Sequence, residues 1–161
     1  MSRATRPLLS ALVLALSLMP GQSGARNASS ASPQQASFER NQNMKINITI
    51  GGKILAASLA DNATARDFVS VLPMTLSMKD LFGREKYGDL PKQLSENGPR
   101  KNRYEVGDVA YWSPNHQLAV YYHQDGEPIP SPGIIPIAKM DAGTEAFNVS
   151  GSVKVTIELA K

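Results

Sequence analysis

The stretch from Tyr104 to His123 holds the only tryptophan, both histidines and four of the five tyrosines of the chain, and its residue order leaves little choice of local structure. Val109 to Trp112 and Gln117 to Tyr122 are β-branched and aromatic runs. Between them, Ser113-Pro114-Asn115-His116 puts proline at the second turn position, where its fixed φ suits a tight reversal. The pattern is a β-hairpin. Side chains alternate along a strand, so Leu118, Val120 and Tyr122 share one face and Ala119 and Tyr121 the other, and neither face is polar. Both faces therefore need cover. A closed barrel buries one, and a helix or a ligand groove covers the second.

The segments before the hairpin support this class. Lys45-Ile46-Asn47-Ile48-Thr49-Ile50 alternates, Gly51-Gly52 follows, and Ile54 to Leu59 is a second strand, so the domain opens with an antiparallel pair near Met44. The period then changes. Ala65, Phe68 and Leu72 fall at helical spacing, Thr64 with Asp67 three residues on forms a capping-box pattern, and Pro73 ends a short amphipathic helix. Met74 to Phe82 is strand-like, Gly83 to Pro91 reads as a loop or a bent strand, and Lys92 to Arg103 is a polar connection turning at Asn97-Gly98-Pro99.

Downstream, Asp125 to Gly133 carries three prolines and two glycines and can only be a surface loop. Ile134 to Met140 is a strand whose Pro136 requires an edge or a bulge, Asp141 to Phe147 fits one helical turn, and Ser152 to Leu159 alternates as the last strand. Seven or eight strands with one or two short helices make a mainly β chain, closed into a barrel by pairing its terminal strands.

The N-terminus is of another kind. Arg3 and Arg6 precede an apolar run from Leu8 to Met19, then Pro20 and the small residues Ser23-Gly24-Ala25, the order of a secretory signal peptide over residues 1–25. The run is too short for a membrane-spanning helix, which needs roughly 20 residues. Residues 26–43 are Ser, Ala, Gln and Asn with Phe38 as the one bulky apolar side chain, a composition that predicts a disordered tether ahead of a domain at 44–161. The expected location is secreted or periplasmic, with no membrane association once the signal is removed.

Removing Arg3 and Arg6 from seventeen Lys and Arg leaves fifteen against fourteen Asp and Glu, so the mature surface is near neutral and nucleic acid is not an expected partner. The chain has no cysteine, hence no disulfide and no thiolate. His116 and His123 lie an odd number of residues apart, which on one strand points them to opposite faces; no spacing supports a metal site, and none implies a cofactor. Ser113, His116 and Asp108 are the residue types of a hydrolase triad, but no Gly-x-Ser-x-Gly elbow surrounds the serine. Asn27, Asn47, Asn62 and Asn148 each begin an Asn-x-Ser/Thr sequence, which matters only in a host that glycosylates.

Two groups of side chains are candidates for function. Glu85, Lys86 and Tyr87 can line a polar pocket in which burial raises the Glu85 pKa and fits it for acid or base work. Tyr111, Trp112, Tyr121 and Tyr122 can form an aromatic groove, although rings of this size are core residues first.

Residues 44–161 also resemble the cyclophilin-like fold, in particular its small bacterial branch. Leu59-Ala60-Asp61-Asn62-Ala63-Thr64-Ala65-Arg66-Asp67-Phe68 is similar to the point at which cyclophilins carry Pro-Lys-Thr-Ala-Glu-Asn-Phe at their first helix, and Gly107-Asp108-Val109-Ala110-Tyr111-Trp112-Ser113-Pro114 resembles the branch signature Gly-Asp-x-x-Tyr-Trp-x-Pro. The resemblance implies a closed eight-stranded β-barrel. Prolyl isomerases of this fold carry a Phe-His-Arg segment, whose arginine contacts the proline amide, and a Gln-Gly-Gly-Asp stretch; neither is present, and Arg84 lacks those neighbours. The expected function is an exported barrel that binds a small molecule or a peptide segment in a groove formed by Glu85, Tyr87, Tyr111, Trp112 and Tyr122. An isomerase with an altered site, or a small enzyme using Glu85 and Tyr87 as acid and base, are the alternatives.

Overall fold

Alternation of apolar side chains determines the architecture. A computed structural model describes residues 44–161, and the expected signal peptide and tether, residues 1–25 and 26–43, lie outside them. Eight strands run in chain order: β1 (Lys45–Ile50), β2 (Lys53–Leu59), β3 (Met74–Leu81), β4 (Glu85–Asp89), β5 (Asp108–Trp112), β6 (Gln117–Tyr121), β7 (Ile135–Met140) and β8 (Val153–Leu159). One helix, α1 (Ala63–Val69), follows β2, and short 3₁₀ turns occupy Ser113–Asn115 and Thr144–Phe147. The strands close into a barrel in the order β1-β2-β7-β5-β6-β4-β3-β8. All pairs are antiparallel, and β1 meets β8 with Ile48 opposite Ile157, so the first and last strands seal the wall.

The interior is one apolar cluster. Ile46 and Ile48 of β1, Met78 of β3, Val109 and Tyr111 of β5, and Leu118 and Val120 of β6 are fully buried in it, together with Val155 and Ile157 of β8. Phe68 of α1 and Phe147 of the second 3₁₀ turn join this cluster from outside the strands. The interior also contains a cation: Lys86, opposite Val120, is completely buried. Its ammonium donates to the carbonyl oxygens of Val149 and Gly151 at 2.5 and 3.0 Å and pairs with Asp80 at 2.9 Å, which occupies all three of its protons.

The central hairpin forms as its residues require, with His116 at φ 54° closing the turn. Pro136 has no N–H for a ladder, and the β5–β7 register shifts beside it, between Val109 and Ala110: the proline is absorbed by a bulge. Residues 85–89, read as loop or bent strand, are the regular strand β4, paired with both β3 and β6. The helix start also differs from the capping-box reading. Asn62 is the cap, its Oδ1 accepting from Ala65 N at 2.9 Å while its Nδ2 donates to Pro136 O at 2.8 Å, so one side chain both starts α1 and ties it to β7. Thr64 and Asp67 serve the polar connection instead. Thr64 Oγ1 accepts from Gly98 N at 3.1 Å, and Asp67 accepts from Ser95 N at 2.7 Å and from Lys92 at 2.8 Å.

Candidate functional site

Outside the barrel wall, β5 and β6 present a second apolar surface. Ala110, Ala119 and Tyr121 face outward beside Tyr104, Ile129 and Ile134, and the rings of Tyr87 and Trp112 pack at their margin. The cover is the long proline-rich loop after β6 together with Tyr104, whose ring stacks on Tyr121 at 4.3 Å. The cover is incomplete. Ala119 stands opposite Ala110 on one side and Tyr87 on the other, and these small side chains among rings leave a cleft of about 370 Å³. Tyr87, Ala119 and Tyr121 form its floor, Trp112 stands at its margin, and Ile129 and Pro130 come from the covering loop. Leu81 and Phe82 line it from the β3–β4 turn, where Phe82 adopts φ 56° and is 77% exposed.

Two charged groups, Arg84 and Glu85, line this mainly apolar cleft, with the polar side chains of Asn115 and Gln117. Arg84 sits just before β4, its guanidinium 5.3 Å from the Phe82 ring centroid and 5.5 Å from that of Tyr104. Its Nη1 donates to Asp125 at 3.2 Å, and its Nε lies 3.5 Å from Glu85 Oε2. That separation is too poorly aligned for a hydrogen bond: both Nε and Oε2 are buried without a partner. Burial pushes the Glu85 carboxyl above the usual carboxylate range, against the opposing pull of the Tyr121 hydroxyl and Arg84. Burial likewise raises Tyr121, and Glu85 beside it raises it further. Asp125 goes the other way, lowered by hydrogen bonds from the Tyr104 hydroxyl at 2.7 Å and from Glu127 N, and by Arg84.

Of the residues expected in a groove, Glu85, Tyr87 and Trp112 are brought together on this cleft. Tyr111 and Tyr122 are not, and strand geometry is the reason. Tyr111 follows Ala110 and precedes Trp112, both outward, so its ring points into the barrel, where its hydroxyl meets Leu94 N at 3.2 Å and His116 Nδ1 at 3.1 Å. Tyr122 packs against the interior cluster, and its hydroxyl donates to Asp80 at 2.6 Å. Lys86 is likewise on the inner face and takes no part in the pocket expected around Glu85 and Tyr87. Tyr121, named with the aromatic groove but not among the expected binding residues, does line the cleft, on the face it shares with Ala119. Phe82, Arg84, Ile129 and Pro130 were missing from the expectation. Arg84 and Phe82 depend on a turn with a left-handed residue, and the loop residues on a long-range fold-back.

The other candidate chemistries are occupied by structural contacts. Asp108 accepts from Lys101 at 2.5 Å, Lys139 at 3.0 Å and Glu105 N at 2.8 Å, Ser113 Oγ accepts from Arg100, and His116 engages Tyr111, so the three triad residue types do not form a relay. Among the described residues no group of three His, Cys, Asp or Glu is placed to hold a metal ion, and no helix is long and apolar enough to cross a membrane.

The sequence of residues 48–158 matches the model of the cyclophilin-like family. Among solved structures, the solution structure of the hypothetical protein AF2241 from Archaeoglobus fulgidus superposes with a TM-score of 0.61 at 22% identity, over 76% of this chain and 98% of that one. The structure of McbB in complex with tryptophan superposes with a TM-score of 0.50 at 12% identity, over 70% of this chain and 44% of that one. At such identities the likeness is one of fold. No curated protein matches the sequence.

Proposed function

Because the chain belongs to the cyclophilin-like family, whose barrel here keeps an aromatic cleft on its outer wall, we propose that it is an exported binding module holding a compact ligand, a small molecule or one side chain of a peptide segment. The observation that carries this reading is the cleft itself. An outward face made of Ala110, Ala119 and Tyr121 would be expected to close under its covering loop, since apolar surface is driven from water. A volume of about 370 Å³ persists instead, within the range of sites that bury most of a small ligand and line it with aromatic side chains around a few polar groups.

Binding without prolyl isomerisation follows from the state of Arg84. An arginine that stabilises a twisted amide must be free to turn and donate to it, whereas this guanidinium already lies against two rings and is anchored by Asp125. Export rests on the charged, apolar and small-residue order of residues 1–25.

The test is a fragment library screened by amide and indole NMR on the wild type and on Ala119→Met. The longer side chain fills the cleft floor from a position that packs no interior residue. Ligands that shift the Trp112 indole in the wild type and lose at least tenfold in affinity in the variant support the reading; equal affinities in both proteins would place binding elsewhere. The wild type should give no acceleration in a coupled-protease isomerase assay. Intact-mass measurement after expression in an exporting host should find a chain beginning near Arg26, and a mass retaining Met1 would remove export from the proposal.

A further inference from the structure

The carboxylate that lines the cleft is not hydrogen-bonded to its cation. Asp125, outside the lining, and Glu85 share one guanidinium, that of Arg84, and among the described residues Arg84 is the one cationic side chain lining the cleft. Asp125 has the better claim. It holds Nη1 in a hydrogen bond at 3.2 Å and is itself fixed by the Tyr104 hydroxyl and Glu127 N. From Arg84, Glu85 receives the misaligned approach of Nε at 3.5 Å, and its Oε2 has no hydrogen-bond partner. The Tyr121 hydroxyl also faces Glu85 and brings no positive charge, and the other polar side chains of the lining, Tyr87, Asn115 and Gln117, carry no cation.

A carboxylate whose side chain is more than nine-tenths buried and whose Oε2 is not hydrogen-bonded to its cation is costly in a medium of low polarity. Two agents can neutralise it. A proton is one, and burial raises Glu85 in that direction. A ligand that brings its own positive charge does so when bound, and gains a charge-assisted hydrogen bond in the exchange.

Resting on the binding reading above, we infer that the cleft selects a ligand with an aromatic or apolar body and a single positively charged nitrogen, and that Glu85 receives that nitrogen. The body meets Tyr87 and Trp112 on the barrel, and at the rim Phe82, a bulky side chain held at φ 56° and left in solvent. Strain of this kind persists where the surroundings fix it, and it concentrates at ligand clamps. A carboxylate-bearing ligand is refused, because it would add a second negative charge where the one guanidinium is already shared. Binding carries a proton step that balances simply: the neutral Glu85 carboxyl gives its O–H proton to solvent as the ammonium arrives, and the ion pair takes its place.

Three probes of one shape separate the possibilities: 2-phenylethylammonium, 2-phenylethanol and 3-phenylpropionate, titrated calorimetrically into the wild type and Glu85→Gln with the Trp112 indole followed by NMR. In the wild type the ammonium should bind at least tenfold more tightly than the alcohol, and the carboxylate most weakly. In Glu85→Gln the preference for ammonium over alcohol should vanish while the alcohol keeps its affinity. Measured in buffers of different ionisation enthalpy just above the ordinary carboxylate range, ammonium binding to the wild type should release protons and alcohol binding should not; this arm needs no variant. Equal affinities for ammonium and alcohol, or a preference for the carboxylate, overturn the inference and leave the cleft as a binding site anchored by its rings or by Arg84. If none of the three perturbs Trp112, the binding reading fails and the inference with it.

Discussion

Two buried carboxyls show opposite responses to the same environment. Burial disfavours the charged form of both Glu85 and Asp108. Around Asp108 that tendency is overcome by the Lys101 hydrogen bond, the Glu105 N–H and Lys139, so its folded pKa falls below the ordinary aspartate value. Around Glu85 nothing overcomes it, and its folded pKa rises above 4.5. Linkage then fixes the sign of each contribution. The stability Asp108 contributes is fully present above the unfolded value and is lost as pH falls through the lowered folded value. For Glu85 the folded state holds its proton after the unfolded chain has released it, so stability declines as pH rises from about 4.5 to the raised folded value, then levels. Denaturant melts of the wild type and Glu85→Gln from pH 4 to 8 should therefore differ by an amount that grows with pH in the variant's favour and then becomes constant. A difference independent of pH would show that folding does not shift the Glu85 pKa.

At the scale of elements, legibility followed the side chains that packing or turn chemistry controls. The Gly51-Gly52 hairpin, the Tyr104–His123 hairpin, the Pro136 bulge and the last strand were written in alternation and in glycine or proline, and each formed. Strand β4 was not, because Glu85 and Lys86 are buried at consecutive positions with partners from distant segments, Val149 and Gly151 for the lysine and Tyr121 for the glutamate. No local pattern shows such partners. The cleft was half legible for the same reason. Its floor comes from strands whose periodicity can be read, and its wall and cover come from a left-handed turn at Phe82 and a loop that folds back as far as Ile129. The capping-box reading failed to a stronger competitor, since Asn62 satisfies α1 and Pro136 together. That junction offers a test. A Cβ on Gly98 would lie 2.4 Å from Ile135 Cγ2, 2.7 Å from Thr64 Oγ1 and 2.9 Å from Asn62 Oδ1, so the polar connection can cross α1 only without a side chain there. Gly98→Ala should destabilise the domain by roughly 1–3 kcal/mol in denaturant melts, with Asn97→Ala, one residue away, as the neutral control; equal stabilities would deny the close approach.

For the whole molecule, a barrel closed without disulfides depends on an interior that is continuous around the wall, yet that interior is not equally intolerant everywhere. Most of it is apolar, and an aspartate there has no countercharge, a cost of several kcal/mol against a total stability of roughly 5–15. Ile157 is such a position: completely buried, on the closing strand, opposite Ile48 of β1 and Met74 of β3. Val120 is equally buried but stands directly across from Lys86, and directly opposed side chains on one face have Cβ atoms about 4.5–5.5 Å apart. An aspartate at 120 therefore arrives beside an ammonium, and the pair can form at the expense of one carbonyl contact of Lys86. Ile157→Asp should abolish the cooperative unfolding transition, whereas Val120→Asp should keep one at reduced midpoint. Adding Lys86→Met should then remove the transition from Val120→Asp, because the countercharge is gone. Thermal melts followed by near-ultraviolet circular dichroism decide the matter: if Val120→Asp and Ile157→Asp unfold alike, the buried lysine is a fixed strut for Val149 and Gly151, unable to turn towards a new partner.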